Sequence, residues 1–177
     1  MGTVGGGTAK LLSENAQEIT RRLGREVRIS MAASHNTDRI SKLCPSDTVV
    51  SDDVFQVARS ADVDIVVELI GGTNTAREVV LCAIENGKHV VTANKKLLAE
   101  YGNEIFALAA EKNVMVMFEA AVAGGIPIIK ALREGLAANR IKSVAGIING
   151  TSNFILSNMR SHGSPFAEVL KQAQELG

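Results

Sequence analysis

Residues 114–118 (Val-Met-Val-Met-Phe) form an unbroken apolar run that stops at Glu119 and then gives way, over residues 120–125, to almost no side-chain bulk. This stretch constrains the fold more than any other. An apolar run without polar alternation reads as a strand buried on both faces of a parallel sheet. Backbone carbonyls and amides then line the turn, because little else is there. Ile126 and Pro127 open a helix over residues 126–138, since proline is tolerated in a first turn whose N–H has no partner. Leu132, Leu136 and Ala137 continue its apolar face. In an open α/β sheet, ligands bind beyond the carboxyl ends of the strands. The stretch therefore belongs at the mouth of a site.

The rest of the composition narrows the class. A length of 177 residues allows one domain, or a domain and part of a second. Aromatics make up only 3% and tryptophan is absent, which argues against a stacking platform for single-stranded nucleic acid. The formal net charge is zero and there is no basic run, so nothing recruits nucleic acid or an anionic membrane. No apolar run approaches the roughly 18 residues of a membrane span, and no signal segment is evident. Cys44 and Cys82 have no ligand spacing and read as ordinary thiols of a reducing cytoplasm.

Along the chain, strands and helices alternate. A glycine-rich start feeds an amphipathic helix that Gly24 stops. Gly2 and Gly5 can serve as the second and third glycines of a G-x-G-x-x-G dinucleotide fingerprint, with Thr3 and Val4 between them. The first glycine and the preceding strand are not in the sequence, so a merely flexible start competes with this reading. Residues 27–33 form the next strand. Ser34, His35 and Asn36 follow it, with Arg39 and Lys42 nearby and no acid at the strand end. That pattern favours NADP over NAD, since NAD sites place an acid there. His35 is either a phosphate contact or a solvated loop residue. Residues 54–58 make a short helix.

Residues 63–70 are a further buried strand, ended by Gly71, Gly72 and Thr73. A helix starts at Thr75, spaced from Glu78 as a capping box. It buries Val79, Val80, Ala83 and Ile84 and stops at Gly87. Residues 88–93 return as a strand. Lys95 and Lys96 then stand at a helix start, at the unfavourable positive pole of its dipole. Either they are a solvated pair or they break the local rule for a functional reason. A short helix is interrupted at Tyr101 and Gly102, and Asn103 caps another that buries Ile105, Leu108 and Ala109. Residues 141–148 read as a strand of mixed burial. The turn at residues 149–153 leads into a helix with Phe154, Ile155, Leu156 and Met159. A last helix turns Ala167, Val169, Leu170, Ala173 and Leu176 inward, with Gly177 at its cap position.

Residues 2–5, 66–73, 90–99, 118–129 and 146–156 together resemble homoserine dehydrogenase, in the right order and over essentially the whole chain. The resemblance implies an α/β fold: a Rossmann-type doubly wound parallel sheet over residues 1–125, then the start of a mixed α/β substrate and dimerisation domain over 126–177. It implies NAD(P)H-dependent interconversion of aspartate 4-semialdehyde and homoserine, on the route to threonine, methionine and isoleucine, in an enzyme that is a homodimer at full length. Gly2, Thr3, Val4, Gly71, Thr73 and Lys95 are then the cofactor-binding residues, and Lys95 is also the catalytic one. Gly150 and Thr151 approach the substrate. Glu119 with the carbonyls of Val122, Gly124 and Ile126 matches a monovalent-cation loop, of the kind described for sodium. The plainer alternative is that Glu119 hydrogen-bonds the turn's own amides.

The family's first Rossmann strand and the later acidic segment with a second lysine have no counterpart here. The sequence accordingly reads as a fragment, expected to show little or no dehydrogenase activity alone. Two other readings compete: a non-catalytic fragment that binds a dinucleotide or pairs with another subunit, and a different Rossmann oxidoreductase acting on an amino acid.

Overall fold

The computed structural model describes residues 2–176, which fall into two compact units, one ending at Lys130 and one beginning at Ala131. The expected cap at Gly177 lies outside the described residues.

The first unit holds all the strands found among the described residues. Its start is helical: α1 (Thr3–Glu14) and α2 (Ala16–Leu23) meet at Asn15, and Gly24 closes α2 with φ 72°. The long helix expected here is thus broken in two. β1 (Met31–Ala33) is shorter than the strand predicted over residues 27–33. Asn36 then caps α3 (Thr37–Leu43) by accepting from the Arg39 amide at 2.9 Å. β2 (Val49–Ser51) pairs in parallel with β1. Neither α3 nor β2 is announced by the sequence pattern. α4 (Val54–Arg59) follows, capped by Asp53.

β3 (Ile65–Glu68), α5 (Asn74–Glu85), β4 (His89–Thr92), α6 (Lys95–Glu111) and β5 (Val116–Met117) form the heart of the unit. The strands make a parallel sheet in the order β3-β4-β5, separate from the two-stranded sheet β1-β2. Val66, Val90 and Val116 face a core completed by Val80, Ile84, Leu97 and Ile105. Each such side chain contributes about 1.5–3 kcal/mol by leaving water. α5 buries Val79, Val80, Ala83 and Ile84, as its spacing predicts. Arg77 of α5 donates to Glu104 of α6 at 2.7 Å and lies over the Tyr101 ring. That guanidinium holds the Glu104 carboxyl below the usual glutamate value.

Several expectations fail for identifiable reasons. The strands are not buried on both faces: Ile65, Val67, Val91 and Met117 are exposed on the side away from the core. The capping box at Thr75 and Glu78 does not form. Left-handed Gly71 and Gly72 deliver the chain into α5 earlier, with Thr73 at the N-cap and its carbonyl accepting from Arg77 at 3.0 Å. Gly102 does not interrupt α6. A glycine inside a helix costs about 1 kcal/mol relative to alanine, less than the burial of Leu97, Ile105 and Ala109 on either side supplies.

After β5 come α7 (Glu119–Ala123) and the short α8 (Ile128–Lys130). The second unit opens with a π-helical turn, Ala131–Gly135, so the helix expected over 126–138 is only partly regular. It continues irregularly to α9 (Gly150–His162) and α10 (Phe166–Leu176). The strand predicted at residues 141–148 is absent. A strand needs a ladder partner, and this unit has no other among its described residues. Ile141, Val144, Ile147 and Ile148 stay exposed in consequence. α9 and α10 pack on each other through Ile155 and Val169, while Leu156 and Leu176 face solvent.

Candidate functional site

The turn after β3 is organised by one carboxylate. Glu68 is 1% exposed. Its Oε1 accepts from the Ile70 amide at 2.8 Å and the Gly71 amide at 3.4 Å, and its Oε2 accepts from the Thr92 hydroxyl at 2.6 Å. Burying a carboxylate is tolerated only when its oxygens are bonded in this way. The Thr92 hydroxyl in turn accepts from the Asn94 amide at 3.0 Å. The Asn94 side chain then works in two directions. Its Oδ1 caps α6 by accepting from the Leu97 amide at 3.1 Å, and its Nδ2 donates to the Gly72 carbonyl at 2.7 Å. The glycine turn and the start of α6 are thereby tied together at the carboxyl ends of two adjacent strands.

Gly71 and Gly72 have φ of 81° and 67°, and a Cβ added to either would meet nothing within 4 Å. Glycine is needed there for backbone conformation, and it leaves the turn open to an incoming group. Val4, Leu69, Gly71, Ala93, Asn94 and Lys95 line a cleft of about 220 Å³. Val4 lies in the first turn of α1, whose N-cap is Gly2, with Thr3 opening the helix. No side chain caps this end and no acid sits in its first turn. Free amides and the positive pole of a helix favour an anion such as a phosphate. Thr73 caps α5 without a side-chain hydrogen bond. These residues fit a dinucleotide: open backbone at a glycine turn, a helix start without competing acid, and a cation beside them.

A second cleft, about 290 Å³, is lined by Lys95, Leu98, Ala99, Phe106, Phe118, Ala121 and Val122. The Phe106 and Phe118 rings pack at 5.2 Å. Lys95 lines both clefts, and its ammonium donates to the Val122 carbonyl at 3.2 Å.

The loop after β5 is held differently. Glu119 opens α7, and its carboxylate accepts from the Ile129 amide at 3.1 Å and the Lys130 amide at 2.6 Å. The structure therefore contains the plainer arrangement for Glu119. The Ile126 carbonyl accepts from the Ile128 amide at 2.8 Å, and Gly124 turns the chain with φ 60°. Neutral carbonyl oxygens with one carboxylate are hard donors suited to a monovalent cation. The Lys95 ammonium on Val122 shows that this one carbonyl accepts a group of positive charge. Among the described residues, no cluster of three or more His, Cys, Asp or Glu could hold a metal ion.

Val4, Gly71 and Lys95 thus come together, and Lys95 reaches Val122. In the second unit, Gly150 opens α9 and Thr151 lies in its exposed first turn, which Asn149 caps by accepting from Ser152 at 2.8 Å. Glu68, Thr92 and Asn94 are the residues that sequence reasoning did not pick out. The available signal was an acid inside an apolar run just before a glycine pair.

Residues 1–119 match the family described as homoserine dehydrogenase, NAD binding domain, and residues 127–177 match the family described as homoserine dehydrogenase. A homoserine dehydrogenase of Neisseria gonorrhoeae is 70% identical over 177 residues, covering 100% of this chain and 40% of the relative. One from Pseudomonas aeruginosa is 59% identical with the same coverage. The crystal structure of a homoserine dehydrogenase from Thiobacillus denitrificans superposes with a TM-score of 0.92 at 63% identity, over 100% of this chain and 41% of that one. A hyperthermophilic archaeal homoserine dehydrogenase solved in complex with NADPH has a TM-score of 0.64 at 28% identity, over 93% of this chain and 46% of that one. The chain spans about 40% of the length of the curated relatives it matches.

Proposed function

The chain belongs to the homoserine dehydrogenase family, and from that premise we propose that it supplies the nucleotide turn, the lysine and the cation loop for NADP(H)-dependent interconversion of aspartate 4-semialdehyde and homoserine. The observation that carries this reading is the convergence of Val4, Gly71 and Lys95 on one cleft. The NADPH bound by the archaeal relative supports the choice of nucleotide, as does the absence of an acid at residues 34–36.

The nicotinamide, when bound, supplies or accepts the hydride. The chain's own groups do the rest. The α1 start at Gly2, Thr3 and Val4 offers amides to phosphate oxygens. The turn at Gly71 and Thr73 lets the nucleotide approach backbone. Lys95 provides a cation or a proton at the carbonyl oxygen, where reduction of an aldehyde develops negative charge. Gly150 and Thr151 are proposed as substrate contacts on the family resemblance alone. Glu119, Val122, Gly124 and Ile126 would hold a monovalent cation, sodium, adding fixed positive charge to this part of the molecule. Cys44 and Cys82 are free thiols, which suits the cytoplasm.

The test is an NADPH fluorescence titration of this polypeptide with Gly71→Val and Lys95→Met variants. Binding that weakens at least tenfold in Gly71→Val is the expected result. Failure of the wild-type chain to bind, or equal binding by Gly71→Val, would overturn the reading. Assays of the corresponding variants in a complete relative should then show kcat falling in Lys95→Met.

A further inference from the structure

We infer that the Val122 carbonyl oxygen is a single seat for which the Lys95 ammonium and a free monovalent cation compete. The inference rests on the cation-loop reading given under Proposed function and deepens it. It starts from one contact: Lys95 Nζ donates to Val122 O at 3.2 Å, across a sequence separation of 27. Val122 lies near the end of the five-residue helix α7. The last carbonyls of so short a helix lack their regular partners, and the one amide four residues beyond Val122, that of Ile126, is already engaged. The Ala123 carbonyl finds the Ile126 amide instead, and the Val122 carbonyl finds a lysine.

A carbonyl has lone pairs for two donors, but not for two unit charges. Like charges held about 4 Å apart repel, and more strongly near a protein surface than in bulk water. A cation taking Val122 therefore expels the ammonium. Lys95 has somewhere to go, because it borders both clefts. On one side lie Phe106, Phe118 and Val122, and on the other Val4, Gly71 and Asn94. Its backbone is fixed by the Asn94 cap on α6, so the exchange needs only side-chain rotation. Occupation of the loop by a cation thus presents the lysine to the nucleotide cleft, and an empty loop draws it away. The loop becomes a selector of lysine position, besides a place where an ion sits.

Sodium-23 relaxation on the full 177-residue chain tests this, with sodium chloride titrated at constant ionic strength against choline chloride, a cation too large for the loop. Wild type, Lys95→Met, Lys95→Arg and the double variant Lys95→Met/Glu119→Gln are compared, with thermal melts confirming that each folds. Sodium should bind at least tenfold more tightly to Lys95→Met than to wild type, while Lys95→Arg stays near wild type. The double variant should lose the gain. Equal or weaker sodium binding by Lys95→Met overturns the competition and leaves the cation loop standing. Sodium binding to none of the four overturns both.

Discussion

Two strands of one sheet end in carboxylates, and their fates differ. Glu68, the last residue of β3, is sealed from water and shared among two amides and a hydroxyl. Glu119, after β5, is half-buried and bonds the amides of Ile129 and Lys130 at the far side of its own loop. The first is locked to its neighbouring strand through Thr92, and through Asn94 to α6. The second is bonded, among the described residues, to the chain that leaves it. The contrast teaches that the same chemical group, set at the same end of the sheet, can be either a fixed foundation or an adjustable clasp. What decides is whether a second element closes over it.

The sharpest way to break this comparison is Glu68→Ala. It strands a buried hydroxyl and two amides and opens a hole, so stability should fall by about 3 kcal/mol or more in urea titration. A loss below about 1 kcal/mol would mean that the β3 turn is not founded on Glu68. Asn94→Ala should cost less, about 1.5 kcal/mol, through loss of the α6 cap and of the tie to Gly72. Its signature is a parallel weakening of NADPH binding in the same fluorescence titration. Glu119→Gln retains one accepting oxygen and should cost about 1 kcal/mol or less. If it destabilises as much as Glu68→Ala, the two carboxylates are equivalent and the contrast fails.

The smallest expected effect lies away from both turns, and serves as the baseline. Glu104 titrates below the usual glutamate value because Arg77 bonds it. A depressed carboxylate contributes stability that is present above its unfolded value and lost as the pH falls through the folded one. The Arg77–Glu104 link should therefore weaken only on strong acidification, and the pair is partly open to solvent. Glu104→Gln should flatten the acid limb of a melting-temperature curve slightly and leave the neutral range nearly unchanged. A large change at neutral pH would show that the α5–α6 contact depends on charge more than on Val80, Ile84 and Ile105.

Much of this was written locally in the sequence. Four apolar positions at 79, 80, 83 and 84 can lie on one helical face and nowhere else, and that face is buried. The glycines at 71 and 72 mark a turn that only they adopt without strain. What was illegible depends on distant partners. Asn94 draws no attention in the sequence, because one of its two partners, Gly72, lies 22 residues away. Lys95 reads from sequence as either solvated or functional, and its contact with the Val122 carbonyl, 27 residues on, is not visible there. Gly102 carries the usual sign of a helix break, but core burial on both sides outweighs its local preference. Residues 141–148 read as a strand from their apolar and branched positions, yet among the described residues of their unit no neighbouring strand completes a ladder.

The parallel strands of the first unit form two sheets, with no rung between β1 and β3. At that junction the Ser30 hydroxyl donates to the Asp62 carbonyl at 3.2 Å, and α4 packs against both β1 and α5. Backbone amides in the β1–β2 pair should therefore trade hydrogen for deuterium through a shallow opening of their own, well before those of β4, which is flanked on both sides. This corner of the chain can melt and re-form while the glycine turn and its lysine keep their places.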